Sequence, residues 1–138
     1  MFMSQVPKVI RSKDVALQKI RPGVARKRLI TSKMGGARNL IFSMAFIDPN
    51  ETPHSWHTHS GPFFDGERQN EYPKGFEEYY FVLKGKCTVF WRIDNKEMQE
   101  QAAEGDLLFF PVGVVEHQVV NTGKKTLIMA VIMAPPFT

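Results

Sequence analysis

Residues 78 to 93 read Glu78-Tyr-Tyr-Phe-Val-Leu-Lys-Gly85-Lys-Cys-Thr-Val-Phe-Trp-Arg-Ile93. Two runs rich in aromatic and β-branched residues flank a Lys-Gly turn, which predicts an antiparallel hairpin with strands at Glu78 to Leu83 and Cys87 to Ile93. Asp94-Asn95-Lys96 then supplies a second tight turn. Outward from this hairpin the same punctuation recurs every eight to twelve residues. Val24 to Thr31, Asn39 to Ile47, Leu107 to Phe110, His117 to Val120 and Thr126 to Ala134 all read as strands. The one helix expected is a short one around Lys13 to Lys19. There is no internal repeat. Eight or so short strands in 138 residues imply a sandwich or a closed barrel.

Composition narrows the class. Hydrophobic residues make up 43% and charged residues 23%, a globular balance. The single cysteine, Cys87, excludes an internal disulfide and is expected to be a buried, inert thiol. The longest apolar run, Leu127 to Ala134, falls far short of the roughly 20 residues of a spanning helix. With no apolar leader visible, the expectation is a cytoplasmic protein without membrane contact. The formal charge is +4, but residues 1–40 hold ten Lys/Arg and one acid, while the rest is acidic on balance. The basic segment lacks aromatic residues for stacking on bases and precedes no recognition-helix pattern, so nucleic acid is not expected as a partner. Arg26 and Arg28 alternate with Lys27 along a strand. Their charge is expected to divide between two faces, at a solvated or dimer-facing edge or as an attractor of a small anion.

Three of the four histidines, His54, His57 and His59, fall within six residues, and His117 stands apart. Side chains two apart on a strand share a face, so the His57-Thr58-His59 imidazoles can reach one ion. His54 is at odd spacing from both and is expected at the surface or in a loop, with support of the ligands as its alternative role. Glu78 lies seven residues before Gly85. Downstream run Gly105, Pro111, Gly113, His117 and Asn121.

With these spacings the chain resembles a cupin. His57, His59, Glu78 and Gly85 match the family's first motif, G-x5-H-x-H-x3–4-E-x6-G, and the other five match its second, G-x5-P-x-G-x2-H-x3-N. The departures are Glu51 in place of the leading glycine, eighteen residues between His59 and Glu78, and one extra residue between Gly113 and His117. The resemblance implies an all-β, cupin-type antiparallel β-barrel, a double-stranded jelly roll, formed as one domain over residues 1–138. Within it lie an N-terminal arm (1–22), the first motif (57–85, with an insertion at 60–77) and the second motif (105–121). It further implies a homodimer, with the basic arm reaching over a neighbour's sheet edge.

The implied ligand set is His57, His59, Glu78 and His117 around one divalent ion. Three imidazoles and a carboxylate suit Fe, Ni, Mn or Zn and leave open positions for a small molecule. Glu78 is preferred to Glu77 because it alone keeps the spacing to Gly85; a one-residue slip would exchange their faces. Tyr80 shares the face of Glu78 and is a candidate catalytic proton donor or substrate contact, with a core tyrosine as the alternative. One of Phe90 and Trp91 should face the cavity. In the insertion, Phe63, Phe64 and Tyr72 offer apolar surface, and Arg68 and Lys74 offer charge for an anionic substrate. The expectation there is a lid. The functional expectation is a metal-dependent enzyme acting on a small carboxylate- or carbonyl-bearing molecule. A dioxygenase is favoured, with an isomerase, epimerase, lyase or decarboxylase, or a non-catalytic binding module, as alternatives.

Overall fold

In the computed structural model, residues 6–31, 37, 39–59 and 75–134 are described. The expected lid residues Phe63, Phe64, Arg68, Tyr72 and Lys74 lie outside them. Nine strands run β1 (Gln18–Arg21), β2 (Val24–Ile30), β3 (Ile41–Ile47), β4 (Glu77–Lys84), β5 (Lys86–Ile93), β6 (Lys96–Ala103), β7 (Leu107–Phe110), β8 (His117–Val120) and β9 (Leu127–Ala134). The short helix expected around Lys13 to Lys19 does not form: a 3-10 turn at Ser12–Asp14 stands at its start, and Gln18 and Lys19 belong to β1. Residues 18–21, assigned from sequence to the arm, form β1 and pair with β2 of the same chain. No helix among the described residues is long and apolar enough to cross a membrane.

The strands divide into a six-stranded sheet, β1-β2-β3-β9-β4-β7, and a three-stranded sheet, β6-β5-β8. Every named pairing is antiparallel. The jelly-roll expectation holds. Strands β3 and β9 alternate strictly between buried and half-buried positions, which aims one face of each inward. The resulting core runs through Ile47, Val82, Leu127 and Met129, each at most 1% exposed. On the outer face, Phe81, Leu107 and Phe109 remain 40%, 57% and 52% exposed.

Register places the functional rows. Across the inner face, Ile41 opposes Met133, Met133 opposes Glu78, and Glu78 opposes Phe110. The adjacent inner row runs Arg28, Ser43, Val131, Tyr80, Leu108. Two turns hold this register. Asp94 and Asn95 take φ of 50° and 65°, the left-handed pair that a two-residue hairpin requires. Gly85 takes φ of 91°, and a Cβ there would stand 3.3 Å from the Leu127 Cα. Only glycine meets both demands, which explains why the spacing from Glu78 to a glycine is so informative.

Candidate metal centre

His57, which lies outside the named strands, pairs with His117 of β8 as an isolated antiparallel bridge. Each backbone N–H donates to the other's carbonyl at 3.0 Å. This corrects one local expectation: residues 57 to 59 are not a continuous strand. The imidazoles still converge. His57 Nε2 lies 3.2 Å from His59 Nε2, and the ring centroids of His57 and His117 are 4.5 Å apart. One nitrogen from each of His57, His59 and His117 falls within 4.8 Å of the others.

The tautomers follow from the backbone. His57 Nδ1 is 2.7 Å from the Ser55 carbonyl and His117 Nδ1 is 2.8 Å from the Val115 carbonyl. A carbonyl only accepts, so each Nδ1 carries the proton and each Nε2 keeps its lone pair for the cluster. Both bonds reach back two residues, so the chain sets the ring angle locally. His59 and Glu78 add a second polar pair, His59 Nε2 to Glu78 Oε1 at 3.3 Å, with both side chains at most 1% exposed. Phe76 stacks on His59 at 4.6 Å, and Phe110 stacks on His117 at 4.6 Å, so apolar rings back the imidazoles.

The donors fit a divalent ion. Nitrogen–metal bonds of about 2.1 Å put adjacent ligands of an octahedral ion about 3.0 Å apart. The 3.2 Å between His57 and His59 and the 3.3 Å between His59 and Glu78 both lie close to that edge. Three histidines can therefore hold a metal ion, with Glu78 beside them.

Glu78 and Tyr80 sit on the inner face of β4, 1% and 4% exposed. Glu77 faces outward and accepts the Tyr79 hydroxyl at 2.7 Å, an interaction that raises the Tyr79 pKa. Tyr80 packs edge-on against Phe110 at 5.0 Å. Of the two aromatics on β5, Trp91 is the one opposite His117. His54 lies in the loop before His57, as expected, and is half-buried there with its ring 5.1 Å from that of His57. Cys87 is 1% exposed, and burial, aided by Asp106, pushes its pKa up to about 11, as an inert thiol requires.

Sequence reasoning missed Arg92. Its guanidinium carbon lies 3.6 Å above the Trp56 ring and its Nη1 lies 2.9 Å from Glu116 Oε1. Trp56 and Glu116 immediately precede His57 and His117. One arginine thus ties together the two segments that carry those histidines.

Burial lowers the His117 pKa, and the hydrogen bond to Val115 opposes this only partly. A folded-state value below the ordinary 6.5 means that protonation favours the unfolded chain. The stability held by a neutral His117 is therefore complete above about pH 6.5 and is lost as pH falls toward the lowered value. Metal-free protein is expected to melt at lower temperature at about pH 5 than at about pH 7.5, with a shallower slope for His117→Gln. Equal slopes in calorimetry would contradict a buried neutral imidazole.

Two cavities adjoin the site, one at His117 and the other at Glu78. A larger one, about 580 Å³, opens between the sheets near β5, β6 and β7 and reaches His117 past Trp91 and Phe110. A smaller one, about 70 Å³, is lined by Glu78, Tyr80 and His54 together with Arg28 and Ser43.

Comparison with known families fits this arrangement. The family described as Cupin domain matches residues 66–133. The chain is a cupin. No curated protein matches it. Among solved structures, this cupin is similar to one from Thermotoga maritima described as a predicted oxalate decarboxylase, at 18% identity and a TM-score of 0.66 over 92% of this chain and 98% of that one. A polyketide cyclase from Streptomyces resistomycificus gives 18% identity and a TM-score of 0.69 over 94% and 80%. Oxalate decarboxylase from Bacillus subtilis, a protein with Mn(II) centres, gives 15% identity and 0.68 over 96% of this cupin and 30% of that chain. At these identities the likeness shows the shared fold.

Proposed function

We propose that this cupin is a metal-dependent enzyme acting on a small carboxylate- or carbonyl-bearing molecule held between its sheets. The observation that supports it most is the convergence of the His57, His59 and His117 nitrogens, two of them with tautomers fixed by backbone carbonyls. In this reading those imidazoles and the Glu78 carboxylate hold one ion of Fe, Ni, Mn or Zn. The bound ion supplies Lewis-acid polarisation of a substrate oxygen. Tyr80, on the same inner face as Glu78, offers a phenolic O–H to that oxygen. Phe76 and Phe110 keep bulk water from the back of the imidazoles, which strengthens each polar contact in the site.

Four protein donors leave two positions of a six-coordinate ion open to small molecules, which suits dioxygenase chemistry over the isomerase, lyase and decarboxylase alternatives. The same reading includes a homodimer, for which exposed Phe81, Leu107 and Phe109 offer the surface.

Elemental analysis of protein purified without added metal tests the proposal, and about one ion per chain is the expected result. Oxygen uptake with 1,2-dicarbonyl, catechol and thiol panels assigns the dioxygenase. Solvent-proton exchange without oxygen uptake assigns the isomerase or lyase. A protein that neither retains nor takes up divalent metal overturns the proposal.

A further inference from the structure

The two cavities that adjoin the site, one at His117 and the other at Glu78, differ in charge. Among the described residues, the larger one is lined by two acids, Glu100 and Asp106, and by no lysine or arginine. The smaller one is lined by Arg26 and Arg28 against a single acid, Glu78. These arginines are not a surface stripe. Arg28 opposes Ser43 and Arg26 opposes Ala45, and both partners are buried on the inner face of β3. Opposed residues of an antiparallel pair share a face, so both arginines point into the fold while Lys27 points out. Arg28 is the deeper of the two. Its Nε is buried, whereas Arg26 Nε donates to the exposed Gln18 side chain at 3.1 Å.

We infer that Arg28, supported by Arg26, forms an anion subsite. It receives a carboxylate of the substrate while the other end of that molecule faces His54 and Glu78. This rests on the metal-enzyme reading above and names the substrate class for the same site. Arg28 and Tyr80 occupy one inner row, three strand spacings of about 4.8 Å apart, and the curved sheet turns their side chains toward a common space. At about 30 Å³ for each water, that space of about 70 Å³ takes about two waters, the size of a carboxylate on a short carbon stem. Arginine is the cation suited to this task, because its planar fork matches a carboxylate with two parallel hydrogen bonds and its charge persists when buried. With two arginines against the single carboxylate of Glu78, the cavity carries net positive charge, which favours a carboxylate-bearing molecule over a neutral one of equal shape.

Titration calorimetry with malonate and its neutral isostere malonamide, on Mn(II)-loaded and metal-free protein, tests the inference. Malonate is expected to bind at least about tenfold more tightly than malonamide, and Arg28→Gln to lower malonate affinity by at least about tenfold with metal content unchanged. Arg28→Lys, which keeps the charge and loses the fork, is expected to fall between. Equal binding of the two probes to the wild-type protein overturns the inference, and needs no variant to fold. Malonate affinity unchanged in Arg28→Gln, or no malonate binding at millimolar concentration, overturns it as well. Metal content from elemental analysis reports separately on the metal-enzyme reading. If no metal loads, that reading falls while the metal-free titrations still decide the subsite.

Discussion

Replacing His57 with alanine is expected to lower affinity for the divalent ion by at least about 100-fold and to remove activity with it. Removing a residue that merely supports a ligand costs 10–100-fold in well-studied metal sites, so loss of a donor should reach or exceed that range. His57 suits the test because it is only half-buried, whereas His117 and His59 are at most 2% exposed and their truncation would also open the core. Competition with a chromogenic chelator reads the affinity, and circular dichroism checks that the fold survives. His54→Ala is the internal control. Its ring touches His57 but lies outside the group of converging nitrogens, so metal content should stay near wild type. Equal losses in the two variants would show that the ligand assignment is wrong.

The second large effect concerns stability. Asn121 is fully buried, and its side chain makes three hydrogen bonds. Nδ2 donates to the Ile47 carbonyl at 2.8 Å and to the Lys125 carbonyl at 2.9 Å, while Oδ1 accepts from the Gly123 N–H at 2.9 Å. One amide thus ties the end of β3 to the turn between β8 and β9. Asn121→Leu keeps the approximate volume and strands two carbonyls and an N–H. At about 1 kcal/mol or more for each group, the loss should be about 3 kcal/mol. For a chain of this size that is about 10 °C in thermal midpoint. Urea denaturation checks the figure, and a change below about 0.5 kcal/mol would mean that water satisfies the abandoned groups.

Asn121 also shows how much the sequence disclosed. Its spacing from Gly113 and His117 marked it as part of a motif without saying whether it served the metal or the fold, and the coordinates assign it to the fold. Seven strands were legible, and β7 and β8 have the expected bounds, because their apolar runs end at glycine, proline or asparagine. The two that were missed, β1 and β6, are both edge strands of polar composition. Lys96-Glu-Met-Gln-Glu-Gln-Ala-Ala103 is built from good helix formers. It becomes a strand because the Asp94-Asn95 turn folds it back along β5, and charge on an edge discourages pairing with other chains. Glu78 rather than Glu77 was legible through Gly85. The inward direction of Arg28 was not, since a basic residue in a strand looks like surface until the register of β2 against β3 is known.

The His57–His117 bridge has a consequence for the order of events as the chain folds. His57 and His117 are 60 positions apart, and the β3–β9 ladder beneath them pairs Ile41 with Met133. Contacts of such long sequence separation must pay their loop-closure entropy before they return any energy, which places this topology among slow folders. On this topology the nitrogens of His57, His59 and His117 are expected to come together only after those ladders close. An ion that recognises the assembled cluster therefore has little to hold at the folding barrier and a great deal to hold once the barrier is passed. The effect of such an ion would fall on the unfolding rate: it would lengthen the life of the native molecule without hastening its birth.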